Sequence, residues 1–211
     1  MHFISEELED YCLAHSTAET TLLKHIQRET YSKVLMPRML SGHLQGLFLQ
    51  MISCMIKPKN ILEIGTFTGY SAICLCKGLD PQGKLLTIDK NEEIEERVQA
   101  FFDASEYKNQ IEYRIGNAME LIPELTDTYD LVFIDADKIN YARYFEMVID
   151  KVQPGGFILA DNVLWSGKIL GEIRDKDTRA LDDFNKMVAA DSRIEKMILP
   201  LRDGITLMRK L

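Results

Sequence analysis

The chain has 211 residues, 46% of them hydrophobic, and a formal net charge of −8. That length and apolar share suit one compact domain around a single sizeable core. The acidic balance disfavours general affinity for a phosphate backbone, which leaves nucleic acid as a secondary partner reached through a local basic patch.

No early stretch joins a basic n-region to an apolar h-region, and no apolar run approaches the roughly 20 residues of a membrane helix. A cytoplasmic protein without a membrane partner is therefore expected. Cys12, Cys54, Cys74 and Cys76 lack CxxC pairs and partner histidines, so they read as ordinary reduced thiols.

The first third reads as helical, with Ser5 and Thr17 as expected N-caps. Leu22, Leu23 and Ile26, then Leu44, Leu47, Phe48, Met51, Ile52 and Met55, recur at 3 to 4 residue spacing and predict one apolar face per helix. Lys24, Arg28, Lys33 and Arg38 form the local basic cluster, most simply a solvated helix face.

From Asn60 the pattern changes to β-rich runs separated by helical stretches: Asn60–Ile64, Leu85–Ile88, Ile111–Ile115, Leu131–Ile134 and Phe157–Ala160. Such alternation predicts βαβ units and a parallel sheet. Ile194–Leu199 and Ile205–Arg209 are joined by only Pro200 to Gly204, too short for a crossover helix, so they should pair antiparallel at the sheet's edge.

In a doubly wound sheet, ligands sit beyond the carboxyl ends of the strands. Glu63, Asp89, Asp135 and Asp161 all fall there. One such residue is as readily a helix cap or turn former. Four on one rim repel one another unless a cation or a hydrogen-bonding ligand offsets them.

The first strand runs into Glu63-Ile64-Gly65-Thr66-Phe67-Thr68-Gly69-Tyr70-Ser71, a glycine turn opening a helix. Phe67 fills the second glycine position of a GxGxxG fingerprint, and no Lys-Ser/Thr ending follows, so a ligand without phosphates fits better than a dinucleotide. Gly65 and Gly69 equally suit plain helix–strand packing. Asp89 stands where a Rossmann-like fold binds ribose hydroxyls, and with the turn it specifies a nucleoside. Gly116-Asn117-Ala118 offers room for an adenine ring, or is a simple turn.

The densest cluster is Phe133-Ile134-Asp135-Ala136-Asp137-Lys138-Ile139-Asn140-Tyr141, followed by Asp161-Asn162-Val163-Leu164-Trp165-Ser166-Gly167. Asp135, Asp161 and Asn162 offer only oxygen donors, the hard set suited to Mg²⁺ or Ca²⁺. Lys138 beside them is a candidate general base; taken singly it would be a surface lysine at a helix start.

On these residues, together with Leu199-Pro200-Leu201-Arg202-Asp203-Gly204-Ile205-Thr206, nearly the whole chain resembles the cation-dependent O-methyltransferases, the group of caffeoyl-CoA and catechol O-methyltransferases and their small bacterial relatives. The resemblance implies a Rossmann-like class I S-adenosylmethionine (SAM)-dependent fold with a mostly parallel seven-stranded sheet and an antiparallel C-terminal pair. Residues 1–57 would be a helical cap and 58–211 the core of one methyltransferase domain. It implies cofactor contacts from Ser41, Glu63, Gly65, Thr66, Ser71, Asp89, Ala118, Asp135 and Asp137. Metal ligands would be Asp135, Asp161 and Asn162, holding Mg²⁺, Mn²⁺ or Ca²⁺. Lys138 would be the catalytic base, Trp165 and Ser166 would face the substrate, and the assembly would be a homodimer.

Plant relatives carry asparagine where Ser166 stands, and they differ over Met39 to Gly46; both differences bear on the acceptor, not on cofactor or metal. The expected reaction is methylation of one hydroxyl of a vicinal oxygen pair on a catechol-type molecule. The alternatives are a hydroxyuridine of tRNA as acceptor, and a non-enzymatic SAM-binding scaffold. A scaffold has no use for the set Asp135, Lys138, Asp161 and Asn162.

Overall fold

The computed structural model describes residues 5–171 and 175–211. Three helices come first: α1 (Glu6–Ala14), α2 (Thr21–Lys33) and α3 (Gly42–Ile56). Ser5 caps α1 as expected, its side chain accepting from the Leu8 amide. The cap of α2 is Thr20, whose hydroxyl accepts from the Leu23 amide, so the expectation for Thr17 fails. Thr17 instead lends its carbonyl to His43 Nε2, 2.7 Å away.

Of the apolar series expected to face the core on α3, Phe48 and Ile52 pack against it, but its two methionines turn outward. Met51 and Met55 are 57% and 78% exposed, whereas Gln45, Gly46, Leu49 and Ser53 are buried. Gly46 explains the choice. A Cβ there would sit 2.7 Å from the Tyr70 ring and 2.9 Å from Cys74 Sγ, so only glycine lets α3 press against the next helix. Ser53 satisfies its buried hydroxyl by donating 2.5 Å to the Leu75 carbonyl. Pro37–Ile56 spans 20 residues and is, by length and composition, apolar enough to cross a membrane, which corrects the reading that no run approaches that length. Its buried row packs within the protein itself.

The rest alternates β1 (Asn60–Ile64), α4 (Tyr70–Cys76), β2 (Lys84–Asp89), α5 (Glu95–Asp103), β3 (Ile111–Ile115), α6 (Ala118–Glu124), β4 (Tyr129–Ile134), α7 (Tyr141–Ile149), β5 (Val152–Ala160), α8 (Lys176–Ala190), β6 (Ile194–Leu199) and β7 (Ile205–Lys210). The strands form one seven-stranded sheet in the order β3-β2-β1-β4-β5-β7-β6. β1 to β5 pair parallel. β7 runs antiparallel to both β5 and β6, so it lies inside the sheet and β6 forms the edge. Two buried layers cover the faces, one around Val132, Phe145 and Phe184 and the other around Leu49, Phe102 and Phe133. The four cysteines are free, with Cys74 and Cys76 buried.

Candidate active site

Strand order decides what can meet. β2, β1, β4 and β5 are successive neighbours, so the carboxylates at their exits, Asp89, Glu63, Asp135 and Asp161, line one rim. Like charges held this way raise one another's pKa, and burial adds to the effect.

On the β1 side, Glu63 is fully buried and accepts the Thr87 hydroxyl at 2.5 Å. Thr87 in turn meets Thr66 Oγ1 at 2.6 Å. Burial pushes Glu63 up to about 8, and the charges of Asp135 and Asp89 push the same way. Its second oxygen, Oε1, has no hydrogen-bond partner among the described residues. A buried acceptor left so costs free energy until a donor arrives.

Above it lies a small cleft walled by Met39, Leu40, Ser41, Gly65, Thr66, Phe67, Thr68, Tyr70, Ser71 and Asp135. Five of the expected cofactor residues, Ser41, Gly65, Thr66, Ser71 and Asp135, therefore meet in one place. Gly65 has φ +103°, and a Cβ there would come within 1.9 Å of the Asp135 carbonyl oxygen. Gly69, at φ +78°, leaves room for the Phe102 ring, which a Cβ would approach to 2.6 Å. Both glycines thus serve close packing as well as the opening of the turn.

Asp89 clamps that turn from β2, accepting the Phe67 amide at 2.7 Å on Oδ2 and the Asn91 amide at 2.9 Å on Oδ1. Each oxygen keeps a second lone pair for a ligand hydroxyl. Asp89 and Ala118 lie outside the walls of the cleft. Ala118 opens α6 behind the cap Asn117. Asp137 turns away to α7, where its carboxylate takes Asn140 Nδ2 at 2.5 Å and the Tyr144 hydroxyl at 2.7 Å.

On the β4–β5 side, Lys138 Nζ stands 3.0 Å from Asp135 Oδ1 and 2.6 Å from the Tyr141 hydroxyl, which itself donates to the Asp161 carbonyl at 2.9 Å. Asp161 is only 2% exposed. Burial pushes its carboxyl up to about 7, with the Asp135 charge adding and Lys138 opposing. Asn162, next in the chain, has φ 58°, and Trp165 and Ser166 also lie in the left-handed region. The loop they form is fastened by Asp203, which accepts the Ser166 amide. Lys168 lies 5.9 Å from the centre of the Trp165 ring.

Sequence reasoning missed Gln45, Thr87, Tyr141 and Arg202 as members of this region. Tyr141 and Arg202 both belong to motifs already quoted, so their places were usable signals; Gln45 meets the site only through the tertiary fold. Of the basic cluster, Lys33 pairs with Glu29 at 2.8 Å, and Lys24 and Arg28 border a shallow groove with Gln27 and Tyr31.

Comparison with known proteins assigns this arrangement to a family. Residues 13–211 match the O-methyltransferase family model. The chain is 38% identical to caffeoyl-CoA O-methyltransferase 5 of Nicotiana tabacum over 79% of its own length and 75% of the relative's. An O-methyltransferase of Bacillus cereus, solved in complex with SAH, superposes with a TM-score of 0.90 at 26% identity, covering 97% of each chain. The O-methyltransferase TomG of Streptomyces achromogenes, solved in complex with SAM, gives 0.89 at 26% identity over 97% of this chain and 96% of that one. The chain belongs to the O-methyltransferase family and is a SAM-dependent O-methyltransferase. The scaffold alternative falls with that.

Proposed function

We propose that this O-methyltransferase is metal-dependent and methylates one hydroxyl of a vicinal pair on a catechol-type small molecule. The observation that carries the reading is the pairing of Asp135 with Asp161 across adjacent strand exits, with Lys138 3.0 Å from the former. The donor chemistry fits a hard cation. Asp135, Asp161 and Asn162 offer only oxygens, and two crowded carboxylates, one of them nearly inaccessible, favour a divalent charge between them. Among the described residues no group of three or more His, Cys, Asp or Glu side chains is placed to hold a metal, and on this reading the amide of Asn162 would be the third donor.

The cleft suits SAM on similar grounds. Glu63 Oε1 lacks a partner that a cationic amino group would supply, and Asp89 retains lone pairs for ribose hydroxyls. Bound there, SAM would supply an electrophilic, sulfonium-activated methyl group. Asp135, Asp161 and Asn162 would hold Mg²⁺ or Mn²⁺, which would supply Lewis acidity to the acceptor hydroxyl. Lys138 Nζ then receives the proton of the hydroxyl being methylated, and Tyr141, 2.6 Å away, keeps the amine in place. Trp165 and Ser166 form the acceptor's wall. On this reading helices α1 to α3 cap the core that begins at β1, in a single catalytic domain.

The names of the plant relatives point to a catechol ring as acceptor. Caffeic acid should therefore be methylated, its monohydroxy analogue should be nearly inert, and equal rates on the two would remove chelation from the reaction. A second acceptor class, hydroxyuridine in tRNA, draws on the groove bordered by Lys24 and Arg28. Much higher kcat/KM on tRNA lacking its methyl group, falling steeply with salt, would favour it. A homodimer would cover the apolar surface of Tyr31, Leu35, Met36, Met39, Met51 and Met55, all at least half exposed.

A further inference from the structure

Gln45 has no place in the readings above, yet it is completely buried in the middle of them. Burying an amide is costly unless both of its ends are bonded. Both are. Its Nε2 donates to Asp161 Oδ2 at 2.5 Å, and its Oε1 accepts from Arg202 Nη1 at 3.3 Å. The orientation is dictated by chemistry, because a guanidinium can only donate and an ionised carboxylate can only accept. Arg202 is anchored by the carbonyls of Leu40, at 3.0 Å, and Ser41. The helix carrying Gln45 is equally fixed, since Gly46 lets α3 lie against Tyr70 and Cys74.

Asp161 Oδ1 is occupied by the Asn162 amide at 2.7 Å. With Gln45 on Oδ2, one proton donor holds each oxygen and the carboxylate has lost its freedom to rotate, while lone pairs remain on both. A leucine or methionine at 45 would fill the same space and leave Oδ2 unbonded in the interior. We infer that Gln45, set by Arg202, is a positioning residue that holds Asp161 to one orientation for a divalent cation. The inference rests on the reading of Asp161 as a metal ligand.

Partners of this kind, which orient a ligand without touching the metal, are typically worth roughly 10–100-fold in metal affinity. The test measures Mn²⁺ binding to the whole protein through the EPR signal of the free ion, for wild type, Gln45→Met and Arg202→Met, beside SAH affinity by calorimetry. Gln45→Met should bind Mn²⁺ roughly 10–100-fold more weakly with SAH affinity kept, and its KM for Mg²⁺ should rise far more than its kcat falls. Arg202→Met leaves the amide present but unoriented and should shift Mn²⁺ affinity in the same direction by less; it decides the matter if Gln45→Met does not fold. Wild-type Mn²⁺ affinity in the folded variants would overturn the role of Gln45. Absence of Mn²⁺ binding by the wild type would instead overturn the metal reading, and this inference with it.

Discussion

The β1–β2 and β4–β5 ends of the rim use acidic residues in opposite ways. At β1–β2 the carboxylates are tied into the fold: Asp89 takes two backbone amides, and Glu63 takes the Thr87 hydroxyl. At β4–β5 Asp161 is held by the Asn162 amide and Gln45, and Asp135 by Lys138, yet Asp161 is still pushed up to about 7 by burial and by the Asp135 charge. The first end is a finished cradle that a ligand completes by adding donors. The second holds repulsion that only added positive charge relieves. Adding donors and adding positive charge are different electrostatic demands, and the adjacent strands β1 and β4 bring them side by side, with Asp135 bordering both.

Metal removal should break this comparison most visibly. EDTA is expected to abolish turnover and Mg²⁺ or Mn²⁺ to restore it, and Asp161→Ala should lose turnover while SAM affinity, measured by calorimetry, stays nearly intact. Full activity after metal stripping would make the two ends alike. Next in size is Lys138→Ala, for which kcat should fall by roughly 10²–10⁴, with no rescue by Lys138→Arg because arginine does not readily give up a proton. Steady-state rates at saturating acceptor check it, and wild-type kcat in both variants would leave Lys138 as a mere counter-ion.

At the cofactor end the effects are smaller. Asp89→Ala should weaken SAM binding by about 1–3 kcal/mol, the worth of hydrogen bonds to a charged group, without touching Mn²⁺ affinity. The last effect concerns Glu63 in the cofactor-free protein and is read on stability alone, not on turnover. Its folded pKa, about 8, lies above the usual 4.5, so its contribution to stability is complete below about 4.5 and drains away as pH rises to about 8. Glu63→Gln should therefore gain in unfolding free energy over wild type across that window, by no more than about 1.4 kcal/mol per pH unit, and level off beyond it. Parallel pH profiles of unfolding free energy for the two proteins would mean that Glu63 is already compensated.

Most of the sheet was legible because a parallel core strand is a short apolar run, as in Leu85–Ile88 and Leu131–Ile134. β5 begins at Val152, five residues before the Phe157 expected, because Pro154, Gly155 and Gly156 read as a turn. Pairing of Val152 with Tyr129, across an irregularity before Leu131, keeps the segment in the sheet. Asp135 and Asp161 were legible for the same reason as the strands, being the first polar residues after their runs, whereas Glu63 lies within β1 and Asp89 closes β2. The buried face of α3 was not, since spacing alone cannot tell which row of a largely apolar helix turns inward. Gln45 was hidden further by distance, its partner lying 116 residues away.

The position of β7 between β5 and β6 has a consequence for how the chain is made. β5 exposes one edge, including Phe157 to Ala160, until Phe157 finds Arg209 and Ala160 finds Thr206, and β6 precedes its own partner in the chain. During synthesis a long apolar strand therefore waits with unpaired amides and carbonyls, the usual template for joining a second nascent copy. A chain cut before Ile205 should not merely be inactive. It should precipitate, and sedimentation of such a fragment as it leaves the ribosome would show the vulnerable interval directly.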